Sequence, residues 1–189
     1  MQELQQYIKS YFGISSEELT AVVNLFEAEN LKKNKFYCKQ KQLCDKLSFI
    51  KSGVIRVYAE KDDKEITQWL STPGYMITDL GSLVFDQPAR FNLQAITPVE
   101  LYTINRENYR KIKDVAPSWD KLEKLFIAKC FITIEDRVFQ QLSMSAEEKY
   151  DQLYQQNKEI FNLVPLQYIA SMLGMTPETL SRIRKKKIS

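Results

Sequence analysis

The stretch IASMLGMTPETLSRIRK, residues 169–185, decides how this chain is read. Just upstream, Pro165 suits the first turn of a helix, and residues 166–173 continue it to Gly174, which is free to take positive φ and turn the chain. Thr176 is then a helix cap with Pro177 at the first helical position, so a second helix over residues 177–187 starts within three residues of the first. Ala170 is small where the two helices approach closely. Ile169, Leu173, Met175, Leu180 and Ile183 are apolar where they face each other. Thr176, Glu178, Thr179, Ser181, Arg182 and Lys185 point outward, a set rich in donors and positive charge. The pattern is a helix-turn-helix, although spacing alone also fits a plain structural corner between two helices.

The charge balance separates those two readings. Residues 158–189 carry six Lys or Arg against two acids, a balance of +4, whereas the whole chain is +3 and residues 1–157 therefore sum to −1. All the excess positive charge sits in the last sixth of the chain, where a polyanion would bind. Arg182 has the bidentate fork that reads guanine, and Glu178 can accept from a cytosine amino group. Arg184 and Lys185 to Lys187 are placed to hold phosphates, which sets affinity and salt dependence rather than sequence preference.

Working back from residue 164, Ser145 and Glu148 form a capping box that starts a helix to about residue 157. Pro117 opens a long helix over residues 118–142 whose apolar residues occupy more than one face. Such a helix must be covered on two sides, either by its own β domain and a second copy of itself or wholly within one chain. Asn105 caps a short helix to about residue 114. From residue 31 to 104 the period is two, with β-rich runs at 35–38, 47–51, 54–59, 65–70, 91–96 and 99–104. Ser52-Gly53, Asp62-Asp63, Pro73-Gly74 and Thr97-Pro98 supply the turns. Many short strands without helical crossovers mean a sandwich, barrel or roll rather than a parallel α/β sheet. Before them, a capping box at Ser15 and Glu18 and the stripe Leu19, Val22, Val23, Phe26 predict a helix over residues 16–30.

Composition excludes several activities. The 189 residues contain no histidine and only five scattered glycines. Imidazole-based catalysis, His-ligated zinc and haem are excluded, and neither a dinucleotide loop nor a P-loop can be written. Three cysteines, Cys38, Cys44 and Cys130, are odd in number, far apart and too few for an iron–sulfur cluster. They read as free thiols in a reducing compartment. The amino terminus lacks the order of a signal peptide and no apolar run reaches membrane-span length, so a cytoplasmic location is expected. With 44% hydrophobic and 12% aromatic residues the chain can bury real cores. Tyr58, Trp69, Tyr75 and Phe91 are either core or the lining of a ligand pocket.

The whole order, a capped helix, a β-roll, a long apolar helix and a helix-turn-helix, resembles the cyclic-AMP receptor protein family of bacterial transcription regulators, also called the Crp/Fnr family. LSFIKSGVIRVY (47–58) and LQAITPVELYTINRENYRKI (93–112) carry the resemblance in the β region. IASMLGMTPETLSRIRK looks like the family's I-A-x-x-L-G-x-[ST]-x-E-T-x-S-R signature. MSAEEKYDQL (144–153) resembles the joining segment of the Bacteroidetes branch. The resemblance implies an α+β chain: a cyclic-nucleotide-binding-like β-roll (a double-stranded jelly roll) over residues 1–116, a dimerisation helix over 117–143, and a helix-turn-helix domain over 144–189. The family's β-hairpin wing would be absent or truncated in that last domain. It further implies a homodimer with recognition helices ~34 Å apart in successive major grooves of duplex DNA, and RNA polymerase as a further partner. The DNA-contact candidates are Gln167, Thr176, Pro177, Glu178, Thr179, Ser181, Arg182, Lys185 and Lys186, Pro177 standing where the best-known member has an arginine.

The effector site departs from the family. Its Gly-Glu-Leu and Arg-Ser segments, which hold the ribose and cyclic phosphate of cyclic AMP, align with Thr78-Asp79-Leu80 and Ala89-Arg90. Asp79 is one methylene shorter than glutamate, and Ala89 replaces the phosphate-binding arginine. Arg90 is adjacent, but neighbours on a strand point to opposite faces. Asp79, Leu80, Ala89 and Arg90 thus mark an effector pocket not expected to bind cyclic AMP in the usual way. No haem, iron–sulfur or metal cofactor and no enzymatic activity is expected, and whether a small-molecule effector exists is open. The alternative is a sensor module for a small molecule or cyclic nucleotide that acts through protein contacts.

Overall fold

The computed structural model, which describes residues 2–188, places the short strands in sheets covered on both sides. Among the described residues, α1 (Gln2–Phe12) and α2 (Ser16–Val23) precede β1 (Glu27–Leu31), β2 (Phe36–Cys38), β3 (Lys46–Ser52), β4 (Ile55–Lys61), β5 (Lys64–Ser71) and β6 (Met76–Ile77). A short α3 (Leu80–Phe85) leads to β7 (Asn92–Ala95) and β8 (Val99–Asn105). Then follow α4 (Arg106–Val115), α5 (Trp119–Ser143), α6 (Ala146–Gln156), α7 (Ile160–Leu163), α8 (Leu166–Met172) and α9 (Pro177–Ile188). No helix among the described residues is long and apolar enough to cross a membrane.

Every strand pair is antiparallel, in two four-stranded sheets ordered β1-β8-β3-β6 and β2-β7-β4-β5. The period of two sorts each strand's residues between layers. Ile50 of β3 enters the roll interior with Ile55, Leu93 and Leu101, whereas Leu47 and Phe49 pack outward against α1, α2, α4 and α5. Val54, Leu70 and Ile96, on the outer side of the second sheet, join the core of α6 to α9. The β4–β5 hairpin closes Lys61 onto Lys64 through Asp62 and Asp63, both at positive φ (51° and 58°), as a two-residue loop matching strand twist requires. Gly53, at φ +87°, turns β3 into β4 with its α-carbon close against Pro98 and Val99.

Two sequence expectations are corrected, and two helices are added to those expected. The helix expected over residues 16–30 ends at Val23 with Asn24 as its C-cap, and residues 27–31 pair with β8 from Glu27↔Thr103 to Leu31↔Val99. EAENL has good helix formers, and as an edge strand that is mostly exposed it shows no alternation; cross-strand pairing overrides its local propensity. Ser15 caps α2, but the Glu18 carboxylate does not close the box on the Ser15 backbone N–H: it accepts the Ser15 hydroxyl (3.1 Å) together with the Ser118 backbone N–H (3.1 Å) and hydroxyl (2.7 Å), tying α2 to the start of α5. The reciprocal box forms instead at Ser145 and Glu148. Residues 2–12 form α1 through Leu4, Ile8 and Phe12, spaced by four and buried. A helix does lie between strands, α3, too short to make a parallel crossover.

The long helix is covered by its own chain on one side only. Trp119 and Phe126 of α5 are buried against α1 and the roll, but Leu125, Ile127, Phe131, Ile132, Ile134, Val138, Phe139 and Leu142 are exposed. It is therefore not a helix buried within its own chain. Ile127, Phe131, Ile134 and Val138 follow one another by four, three and four residues, the seam spacing of paired helices.

Candidate functional site

At the carboxyl end, α8 and α9 are joined by a turn in which Gly174 adopts φ +70°. The Thr176 hydroxyl accepts the Thr179 backbone N–H at 3.2 Å, so the predicted cap is in place. Leu180 and Ile183 of α9 are buried with Ile169, Ala170 and Leu173 of α8. The wheel then leaves one face outward: Thr176, Pro177, Glu178, Ser181, Arg182 and Lys185 are exposed and Thr179 is half-buried. Gln167, on the first turn of α8, is exposed as well. Glu178 lies in the first turn of α9, where the backbone N–H and the Thr176 hydroxyl lower its carboxyl pKa and hold it ionised. The basic end is less free than its sequence suggests, because Lys186 pairs with Glu147 at 3.1 Å and Lys187 with Asp151 at 2.7 Å, both acids on α6. These exposed pairs are weak and open to competition from another anion.

A contact absent from the sequence reading joins this helical unit to the roll. Arg56 on β4 is 1% exposed, with its guanidinium 4.1 Å from the Tyr58 ring centroid and 3.7 Å from that of Tyr168 on α8. Its Nε donates to the Thr67 hydroxyl at 2.9 Å and Nη1 pairs with the Glu65 carboxylate. The Thr67 backbone N–H, on the outer edge of the second sheet, donates to the Ser171 hydroxyl of α8 at 2.9 Å. An arginine amid apolar β residues was the available signal, and only its partners from α8 reveal its role.

In the roll, the four effector candidates are neighbours but do not form an anion cradle. Asp79 is buried and both its oxygens are engaged: Oδ1 accepts the Ser82 N–H at 2.9 Å, capping α3, and Oδ2 accepts the Arg90 N–H at 3.0 Å. Ala89 is buried, whereas Leu80 and Arg90 are exposed. Ala89 and Arg90 precede β7 rather than lying in a strand, so the expected strand alternation does not apply to them; the Arg90 guanidinium lies 5.4 Å from the Phe91 ring centroid. The interior is packed with Tyr37, Cys38, Cys44, Ile50, Ile55 and Leu93, and Tyr37 shares its hydroxyl with Ser48 at 2.9 Å. Cys38 and Cys44, distant in reading, share this core. Of the four aromatic candidates, Tyr58 stacks on Arg56 and Phe91 packs on the roll interior. Trp69 and Tyr75 instead line a cleft of about 730 Å³ outside the roll, between it, α5 and α6.

The fold thus defines a β-roll of the cyclic nucleotide-binding class carrying a long helix and a helical unit, and residues 28–114 match the cyclic nucleotide-binding domain family. The whole arrangement is similar to FixK2 from Bradyrhizobium japonicum, at 16% identity and TM-score 0.71 over 85% of this chain and 83% of that one. It is also similar to the c-di-GMP-responsive global regulator CLP of Xanthomonas campestris, at 15% identity and TM-score 0.68 over 92% and 91% of the two chains. The chain spans 40% of cAMP-bound PfPKA-R and 46% of the cAMP-bound regulatory domain of Toxoplasma gondii PKA, each at TM-score 0.55. At such identities the likeness is one of fold. No curated protein matches the sequence.

Proposed function

We propose that the chain is a sequence-specific DNA-binding transcription regulator that acts as a homodimer. The observation that carries the reading is the outward stripe of α9: Thr176, Glu178, Ser181, Arg182 and Lys185 exposed on one side of a helix whose other side, Leu180 and Ile183, is buried. Laid in a major groove, that stripe offers Arg182 to guanine and Glu178 to a cytosine amino group. Gln167, Thr176, Thr179, Ser181, Lys185 and Lys186 hold the flanking phosphates, the last after release from Glu147. Pro177 has no polar side chain and contributes shape alone. The exposed α5 seam supplies the second copy, and two copies give the paired recognition helices that a palindromic site needs. A sensor acting only through protein contacts has no use for the α9 stripe.

Selection from a randomised duplex pool tests this reading directly. Two half-sites with centres about 10 base pairs apart are expected, with affinity falling steeply as salt rises. Arg182→Ala is expected to lose about 1–3 kcal/mol of discrimination at one base position while retaining non-specific binding. A chain with no duplex affinity at low salt sinks the proposal.

The roll is proposed to serve as a sensor that does not hold cyclic AMP in the family's usual way. Asp79 is committed to Ser82 and Arg90 backbone groups, and no guanidinium replaces the one missing at Ala89. A buried cyclic phosphate would stay uncompensated. Calorimetry with cyclic AMP is expected to show no micromolar binding, and a micromolar dissociation constant overturns that expectation.

A further inference from the structure

The cleft outside the roll has the makings of a ligand site. Its roughly 730 Å³ lies within the range of small-molecule sites. None of Asp79, Leu80, Ala89 or Arg90 lines it, so it is distinct from the effector position considered above. Its α5 wall includes Phe126, Cys130, Thr133, Ile134, Arg137 and Gln140; of the seam residues only Ile134 borders it among the described residues, and Ile127, Phe131 and Val138 do not line it.

The chemistry of the walls is one-sided. Trp69 and Tyr75 present two rings with centroids 5.9 Å apart. Arg137 stacks on Trp69, its guanidinium 3.8 Å from the ring centroid, and donates one hydrogen bond, to the Gln68 carbonyl at 2.9 Å. Lys149 donates to the Gln141 carbonyl at 3.0 Å. Neither cation pairs with a carboxylate among the described residues, and Asp136 is the one acid in the lining. A guanidinium has five N–H donors, so Arg137 is half-buried with most of its donors unmatched by protein acceptors. Partial burial without a counter-ion also lowers its pKa below the usual arginine value.

We propose that this cleft binds a small planar anion, a flat apolar or aromatic body bearing a carboxylate or phosphate. The body lies against Trp69 and Tyr75, and the acid group reaches Arg137 and Lys149. Because the walls come from the roll (Trp69, Tyr75), the long helix (Arg137) and the carboxyl-terminal helices (Lys149, Met172), the ligand touches all three at once. It would thereby hold the helical unit against the roll. The binding itself does not depend on the DNA-binding reading.

The probe is 2-naphthoate, with the neutral 2-naphthamide as its charge-free match, titrated against the full chain by calorimetry and by tryptophan fluorescence. Naphthoate is expected to bind at least about tenfold more tightly than the amide, the difference an anion–guanidinium contact supplies. Arg137→Met, which keeps the length and removes the charge, is expected to abolish that preference and leave amide binding unchanged. Should Arg137→Met fail to fold by circular dichroism, Lys149→Met is read instead and is expected to weaken naphthoate severalfold without touching the amide. Equal binding of acid and amide, no binding of either at millimolar concentration, or a preference that survives both substitutions overturns the proposal. None of these measurements uses DNA, so their failure is separate from failure of the regulator reading.

Discussion

Phe131→Asp combined with Val138→Asp is expected to leave a folded monomer whose affinity for a two-half-site duplex has fallen by about 10²–10⁴-fold, the range lost when a bivalent contact becomes monovalent. Phe131 is 60% and Val138 53% exposed, and neither belongs to any of the three buried cores. Aspartate at these positions therefore costs the single chain little. In a dimer built on α5 the same positions face their copies, and each introduced carboxylate would be buried opposite another with no cation beside it. Such a seam cannot absorb that, because the spacing of Ile127, Phe131, Ile134 and Val138 places both substitutions on it. Light scattering gives the mass, circular dichroism the fold, and fluorescence anisotropy the DNA affinity. A double variant that stays dimeric removes α5 as the interface, and one that is monomeric yet binds the duplex at full strength removes the need for two copies.

Gly53→Ala is the second large effect, this time on folding. A β-carbon on Gly53 would overlap the Pro98 carbonyl oxygen and lie 2.8 Å from Thr97 Oγ1 and 3.0 Å from Val99 Cα, at φ +87°. Two of those three atoms are backbone, so no rotamer change relieves the clash. The Thr97 hydroxyl is also the acceptor for the Val54 N–H at 2.9 Å, so moving it frees a donor beside a buried valine. Strain, overlap and the lost hydrogen bond together are expected to destabilise the protein by about 3–5 kcal/mol. That corresponds to a fall in melting temperature on the order of 10 °C for a chain of this size. Gly174→Ala is the control: its φ is +70°, but the nearest atom to an added β-carbon is the flexible Gln141 Oε1 at 3.5 Å. It should cost about 1–2 kcal/mol from the left-handed backbone alone. Equal losses at the two glycines would show that conformation rather than close approach governs both positions.

Much of this architecture was legible because local chemistry and tertiary packing agree. Asn105 caps α4, Ser145 and Glu148 box α6, and Thr176 caps α9 as their spacing predicts. The β-rich runs 47–51 and 54–59 form β3 and β4, and Asp62-Asp63 is the hairpin tip. Where the two disagree, packing wins. Glu18 shares its carboxylate between Ser15 and Ser118, a hundred residues away, and EAENL becomes a strand because β8 offers it a ladder.

The sequence by itself determined the segments and their faces: the two-residue period of the roll, the broad apolar girth of α5, and the outward donors of α9 with their basic excess. These are properties of nearest neighbours along the chain, set by side-chain periodicity and capping. Tertiary structure alone decided which groups from distant segments share one environment. Arg56 becomes a buried link only when Tyr168 arrives from α8, Asp79 is occupied only because Arg90 returns beside α3, and Arg137 meets Trp69 only across the cleft. The cause is physical: desolvation and charge pairing depend on distance in space, and no spacing along the chain encodes them.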